Sequence, residues 1–113
     1  MKKVIAVDFD GTLCISNWPK IGTPNTELIE QLKEERKNGA AVILFTCREG
    51  RLLKDAVKWC GDHGLAFDAV NRNLKERIRA YKMDPRKISA DVYIDDRSAA
   101  FSFGSRLDLG GDA

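Results

Sequence analysis

The stretch that most constrains this chain is Val4-Ile5-Ala6-Val7-Asp8-Phe9-Asp10-Gly11-Thr12. Four apolar, mostly β-branched residues read as a buried strand. They run directly into two carboxylates one residue apart and a glycine that lets the backbone turn. Asp-Gly alone is ordinary turn chemistry. In an open α/β sheet, however, ligands bind beyond the carboxyl ends of the strands, so Asp8 and Asp10 would stand at the mouth of a site.

The same pattern recurs along the chain. Ala40 to Phe45 is a second uninterrupted apolar run and ends in Thr46-Cys47-Arg48. Leu65 to Val70 is a weaker third, followed by Asn71-Arg72-Asn73. A strand centred on Val92 to Ile94, within Ile88 to Asp95, ends in Asp95-Asp96. Helices are expected between the runs. One opens at Thr23-Pro24-Asn25-Thr26, with Thr23 or Asn25 as N-cap, and stops at Asn38-Gly39. A second runs from about Arg51 to Cys60, and a short one from Leu74 to Tyr81 has its charges mostly outward. Strand, helix and strand in this order imply parallel crossovers, which bring every strand end to one edge. The expected fold is thus α/β, a parallel sheet flanked by helices, in one domain spanning residues 1–113.

Between Thr12 and Thr23, Leu13 to Gly22 reads as a loop that either folds back over the strand ends, with Trp18 and Pro19 as an apolar edge, or simply connects. The tail from Ser98 offers a short edge strand or a loosely packed end, and Gly110 to Ala113 is expected to be disordered.

Composition narrows the class. An apolar content of 43% and a charged content of 32% are those of a globular protein, and no apolar run approaches the roughly 20 residues of a membrane span. Only four apolar residues follow the Met1-Lys2-Lys3 start, too few for a signal peptide, so a cytoplasmic location is expected. Three cysteines, Cys14, Cys47 and Cys60, lack paired zinc spacing and read as reduced thiols. The single histidine, His63, falls in a surface turn, a poor position from which to serve Cys47 as a base. A net charge of +2 gives no argument for nucleic acid or a membrane surface.

Asp8, Asp10, Asp95 and Asp96 gathered at one sheet edge would repel by several kcal/mol in a low-dielectric cleft, which implies a cation. Mg²⁺ suits an all-oxygen ligand set that leaves room for a phosphate; without a His or Cys cluster, zinc does not. Thr46 offers a hydroxyl to a phosphate oxygen, and Arg48 a planar fork for an anion.

The ordered set, Asp8-Phe9-Asp10-Gly11-Thr12, Thr46 and Asp95-Asp96, spans residues 4 to 96 and resembles the haloacid dehalogenase (HAD) superfamily, in particular its small phosphatase-like hydrolases. That resemblance implies a three-layer Rossmann-like sheet and a Mg²⁺-dependent phosphohydrolase. Asp8 would be the nucleophile that forms an aspartyl-phosphate, and Asp10 the general acid and then base. Thr46 would hold the phosphate, while Asp8, the Asp10 backbone carbonyl, Asp95 and Asp96 would hold the metal. The superfamily also places a lysine near the nucleophile. Lys87 precedes a strand that would span about 7 × 3.3 Å, roughly 23 Å, which puts it at the wrong end. Lys75 is the preferred candidate, with Arg72 or Arg48 as substitutes.

Neither inter-motif segment has room for a cap domain. A capless site implies a bulky phosphorylated substrate, such as a phosphoprotein or a nucleic-acid end, or a homo-oligomer whose second subunit lends a lid. The rival of a different class is a non-catalytic module that keeps the fold and binds Mg²⁺ or a partner. A receiver domain would need an aspartate after the third strand, where Val70-Asn71 stand, and the chain lacks the Gly-rich Lys motif of a P-loop kinase.

Overall fold

The computed structural model describes residues 2–110; the disorder expected for the last residues falls on 111–113, outside them. The opening apolar run forms strand β1 (Val4–Val7), buried along its whole length. Next come β2 (Cys14–Asn17), β3 (Lys20–Pro24), α1 (Thr26–Lys37), β4 (Ala41–Leu44), α2 (Gly50–Asp62), β5 (Ala69–Val70), α3 (Lys75–Tyr81) and β6 (Val92–Ile94). Strands β5, β4, β1 and β6 pair in that order, all parallel, into one sheet. Its centre is the two strands with unbroken apolar runs, as expected of strands buried on both faces.

Alternate residues of β1 and β4 feed two clusters. Ile5, Val7, Val42 and Leu44 pack with Leu28, Ile29 and Leu32 of α1 and with Ala56 and Cys60 of α2. On the other face, Val4, Ala41 and Ile43 pack with Ala69, Leu74, Ile88 and Ala90. The radius of gyration, 13.5 Å, is that of a compact chain of this length. Among the described residues, no helix is long and apolar enough to cross a membrane.

The segment from Leu13 to Gly22 is no plain loop. β2 and β3 pair antiparallel as a hairpin, with Ser16 opposite Ile21 and Trp18-Pro19 at its turn. Three of the four residues of β2 are exposed, so the hairpin stands out from the core and left little apolar periodicity to read. Asn25, not Thr23, caps α1. Its side-chain oxygen accepts from the Leu28 N–H (3.3 Å), its amide donates to the Thr12 carbonyl (2.9 Å), and Pro24 ends β3. The tail adds no strand among the described residues, yet it is anchored: Leu109 is buried and Leu107 exchanges two hydrogen bonds with Gln31.

The two outer strands are short because an acid precedes each. Asp68 accepts the Val42 N–H (2.8 Å) and pairs with Arg36; Asp91 accepts the Val4 N–H (2.8 Å) and pairs with Arg77 at 2.7 Å. The charges of α3 lie mostly outward, as expected, with Lys75, Glu76 and Arg79 exposed; Arg77 is the exception, buried and donating to Ser89.

Asn25→Ala removes both a helix cap and a tie to the Thr12 carbonyl, and should cost about 1–2 kcal/mol in urea unfolding. Thr23→Ala, at an exposed position, should change stability by less than about 0.5 kcal/mol. Equal losses in the two variants would contradict this assignment of the cap.

Candidate active site

The parallel register carries the strand ends to a single rim. The ladder continues past the strands: Asp8 N–H donates to Ile94 O (2.9 Å), Phe45 N–H to Val7 O (3.0 Å) and Asn71 N–H to Leu44 O (2.7 Å). Asp8, Thr46, Asn71 and Asp95 therefore leave the sheet side by side. Carboxylate oxygens of Asp8, Asp95 and Asp96 lie within 4.8 Å of one another. They open into a cleft of about 360 Å³ whose other walls are Asp10, Ser16, Trp18, Thr46, Cys47 and Arg97.

Two residues of the first motif hold this cluster in register. Thr12, fully buried, donates its hydroxyl to Asp8 Oδ2 (3.1 Å) and accepts the Asp96 N–H (2.8 Å), so one side chain ties both acid-bearing loops together. Gly11 has φ +82°, and a Cβ there would collide with the Asp96 carboxylate. Only glycine permits that approach. The sequence offers no role for Thr12 beyond its place in the motif; a hydroxyl directly after a strand-end acid pair and a glycine is the one signal it carries.

Burial and the charge of Asp95 push the Asp8 carboxyl up to about 7, against the Phe9 N–H and Thr12 hydroxyl, which lower it; Asp96 adds a further upward push. Crowding of this kind is what a divalent cation relieves, and three oxygen donors with open space beside them fit Mg²⁺.

Arg48 departs from its expected role. It does not face a free anion site: its side chain is 0% exposed and grips Asp10 with two hydrogen bonds of 2.8 Å, Nε to Oδ2 and Nη2 to Oδ1. Nη2 also donates to the Lys20 carbonyl (3.0 Å). The guanidinium carbon lies 5.0 Å from the Phe9 ring centroid and 5.1 Å from that of Trp18. The hydrogen bond to Asp10 holds Arg48 in its charged form, against its burial. Removing one partner of a bidentate, desolvated pair of this type costs far more than breaking an exposed one such as Lys58–Asp62, because it leaves a buried charge unpaired. The pairing with Arg48 also turns the Asp10 carboxylate away from the trio, so the side chain of Asp10 is not one of the clustered ligands.

Thr46 reaches the cleft as expected, its hydroxyl accepting the Arg48 N–H (3.1 Å) and its own N–H bonded to Asn71 Oδ1 (2.8 Å). Lys75 does not reach it. With Arg72 it lines a separate depression beside Lys2, Ala41 and Asp68, where β1 and β4 begin, and Lys2 pairs with Glu76. The reason is Asn71, whose φ of +53° turns the chain back toward the opposite end of the sheet. Lys87 lies over the Tyr93 ring, outside the cleft. The cation that sequence reasoning missed is Arg97, which lines the cleft just after the acid pair. His63 packs on Trp59 and is not beside Cys47. Cys14 and Cys60 are buried, and burial pushes the Cys60 thiol up to about 12.

A solved structure of a conserved protein coded by a locus of Bacteroides thetaiotaomicron superposes with a TM-score of 0.77 at 38% identity, covering 88% of this chain and 79% of that one. The chain belongs to the family of that conserved protein. No protein-family profile and no curated protein matches it.

Because the folded protein keeps a proton on Asp8 that the unfolded chain loses, the contribution of Asp8 to stability without metal is fully present below about pH 4 and is lost as pH rises through about 7. The thermal midpoint of metal-free protein should therefore drop by several degrees between about pH 5.5 and pH 8. Mg²⁺ should restore it at the upper pH, and Asp8→Asn should flatten the profile. Wild-type and Asp8→Asn profiles of equal slope would refute the crowding of Asp8.

Proposed function

We propose that this protein is a Mg²⁺-dependent phosphohydrolase of the HAD type, acting on phosphomonoesters through an aspartyl-phosphate. The observation that carries the reading is the convergence of Asp8, Asp95 and Asp96 within 4.8 Å at the carboxyl rim of a parallel sheet, with Asp10 and Thr46 in the same cleft. The sheet order and its two covered faces support a three-layer Rossmann-like core. The hairpin occupies the place a cap domain would take, which supports the capless reading.

Asp8, Asp95 and Asp96 would hold the Mg²⁺, which when bound supplies charge neutralisation for the phosphoryl group. An Asp8 oxygen attacks phosphorus as the bond to the leaving oxygen breaks, and water later attacks the same phosphorus to free Asp8 and inorganic phosphate. Asp10 is the acid that protonates the leaving oxygen and then the base that takes a proton from the attacking water, each transfer requiring one of its two hydrogen bonds to Arg48 to open. Arg48 fixes the plane of its carboxylate, and the Thr46 hydroxyl donates to a phosphate oxygen. Three carboxylates against a divalent cation leave about one negative charge facing an incoming phosphate. Arg97 is positioned to offset it, taking the role first given to Lys75.

Hydrolysis of an aryl phosphate should require Mg²⁺ and vanish in Asp8→Asn, and turnover equal to wild type in that variant would reject the nucleophile. Arg97→Ala should lower kcat/KM at least tenfold while Lys75→Ala stays within about twofold of wild type; steady-state kinetics showing the reverse order would return the role to Lys75.

A further inference from the structure

The rim of the cleft carries an aromatic surface that the phosphoryl chemistry does not use. Trp18, at the tip of the hairpin, is 57% exposed although it lines the same cleft as Asp8 and Thr46. Tryptophan so exposed at a site mouth is unusual, since the indole loses a large favourable burial. Its partner explains how it is held: the Arg48 guanidinium lies 5.1 Å from the ring centroid and is anchored in turn by Asp10, Phe9 and the Lys20 carbonyl. The indole thus backs onto a rigid, fully buried cation, and its exposed surface adjoins the phosphate site. Ser16 is the other hairpin residue in the wall, too small to enclose a leaving group. The open cleft therefore offers a leaving group one extended surface to rest on.

From this arrangement we infer that the preferred substrates carry a planar aromatic ring, a nucleobase or a phenol, on the leaving side of the phosphate, and that Trp18 is the surface on which it stacks. The inference rests on the phosphohydrolase reading and adds its substrate class. Stacking on an aromatic side chain is tolerant of ring identity and depends on planarity, so a saturated ring of equal bulk gains less. Trp18 is a specificity residue here and takes no part in bond breaking.

The test is equilibrium binding, in the presence of Mg²⁺, of phosphonates that cannot be hydrolysed. Calorimetry would compare benzylphosphonate with cyclohexylmethylphosphonate on wild type, Trp18→Ala and Trp18→Phe, with adenosine 5′-phosphonate as a longer-reaching ring. Wild type should bind a flat-ring ligand about tenfold more tightly than the saturated one. The ratio should fall to near one in Trp18→Ala and persist in Trp18→Phe. Whichever ring ligand binds more tightly assigns the leaving group as phenol-like or nucleoside-like. A ratio near one in wild type, or an unchanged ratio in Trp18→Ala, overturns the inference and leaves the phosphohydrolase reading intact. Failure of every phosphonate to bind wild type overturns both.

Discussion

Everything at the candidate site depends on holding like charges together. Three carboxylates within 4.8 Å repel, and the fold resists that repulsion with covalent geometry and one hydroxyl. The parallel ladder fixes Asp8 beside the end of β6, Gly11 allows the backbone to pass under the Asp96 carboxylate, and Thr12 bonds to both loops at once. None of these contacts neutralises charge. They fix positions, so the three carboxylates stay converged and could hold a metal ion.

The fourth acid is treated in the opposite way. Asp10 is fully partnered by Arg48, and Arg48 is in turn clasped by two aromatic rings and the Lys20 carbonyl of the hairpin. The two aspartates of one short motif therefore have contrasting surroundings, one crowded by like charge and one paired with a buried cation. That contrast is the usual physical basis for dividing roles between neighbouring carboxylates. It also couples the hairpin to the site, because the side chain that orients Asp10 is covered by Trp18.

Much of this was legible in the sequence. The runs Val4–Val7 and Ala41–Leu44 are uninterrupted, apolar and largely β-branched, so burial and parallel pairing follow from them, as does the placing of acids at strand ends. What stayed hidden depended on long-range geometry. The hairpin buries only Cys14 of its first strand, so it has no apolar alternation to detect. Arg48 next to Thr46 looked like an anion fork because nothing local shows that Phe9 and Trp18 enclose it. Lys75 was assigned to the site edge because a helix after a parallel strand starts at that edge by default. A single left-handed residue, Asn71, reverses the chain before the helix begins.

Asp68 and Asp91 sit at the opposite rim from the cleft, each accepting an N–H near the start of a neighbouring strand while paired with an arginine. The Val4 N–H is the largest influence holding Asp91 below the usual carboxylate range. For Asp68, burial pushes upward but Arg36 and the Val42 N–H prevail. Their stabilisation is present above about pH 4 and disappears once protons reach them. Acid would thus loosen the two flanking strands at the rim opposite the cleft, and through β6 that loss would carry along the strand to Asp95 and Asp96 at its other end.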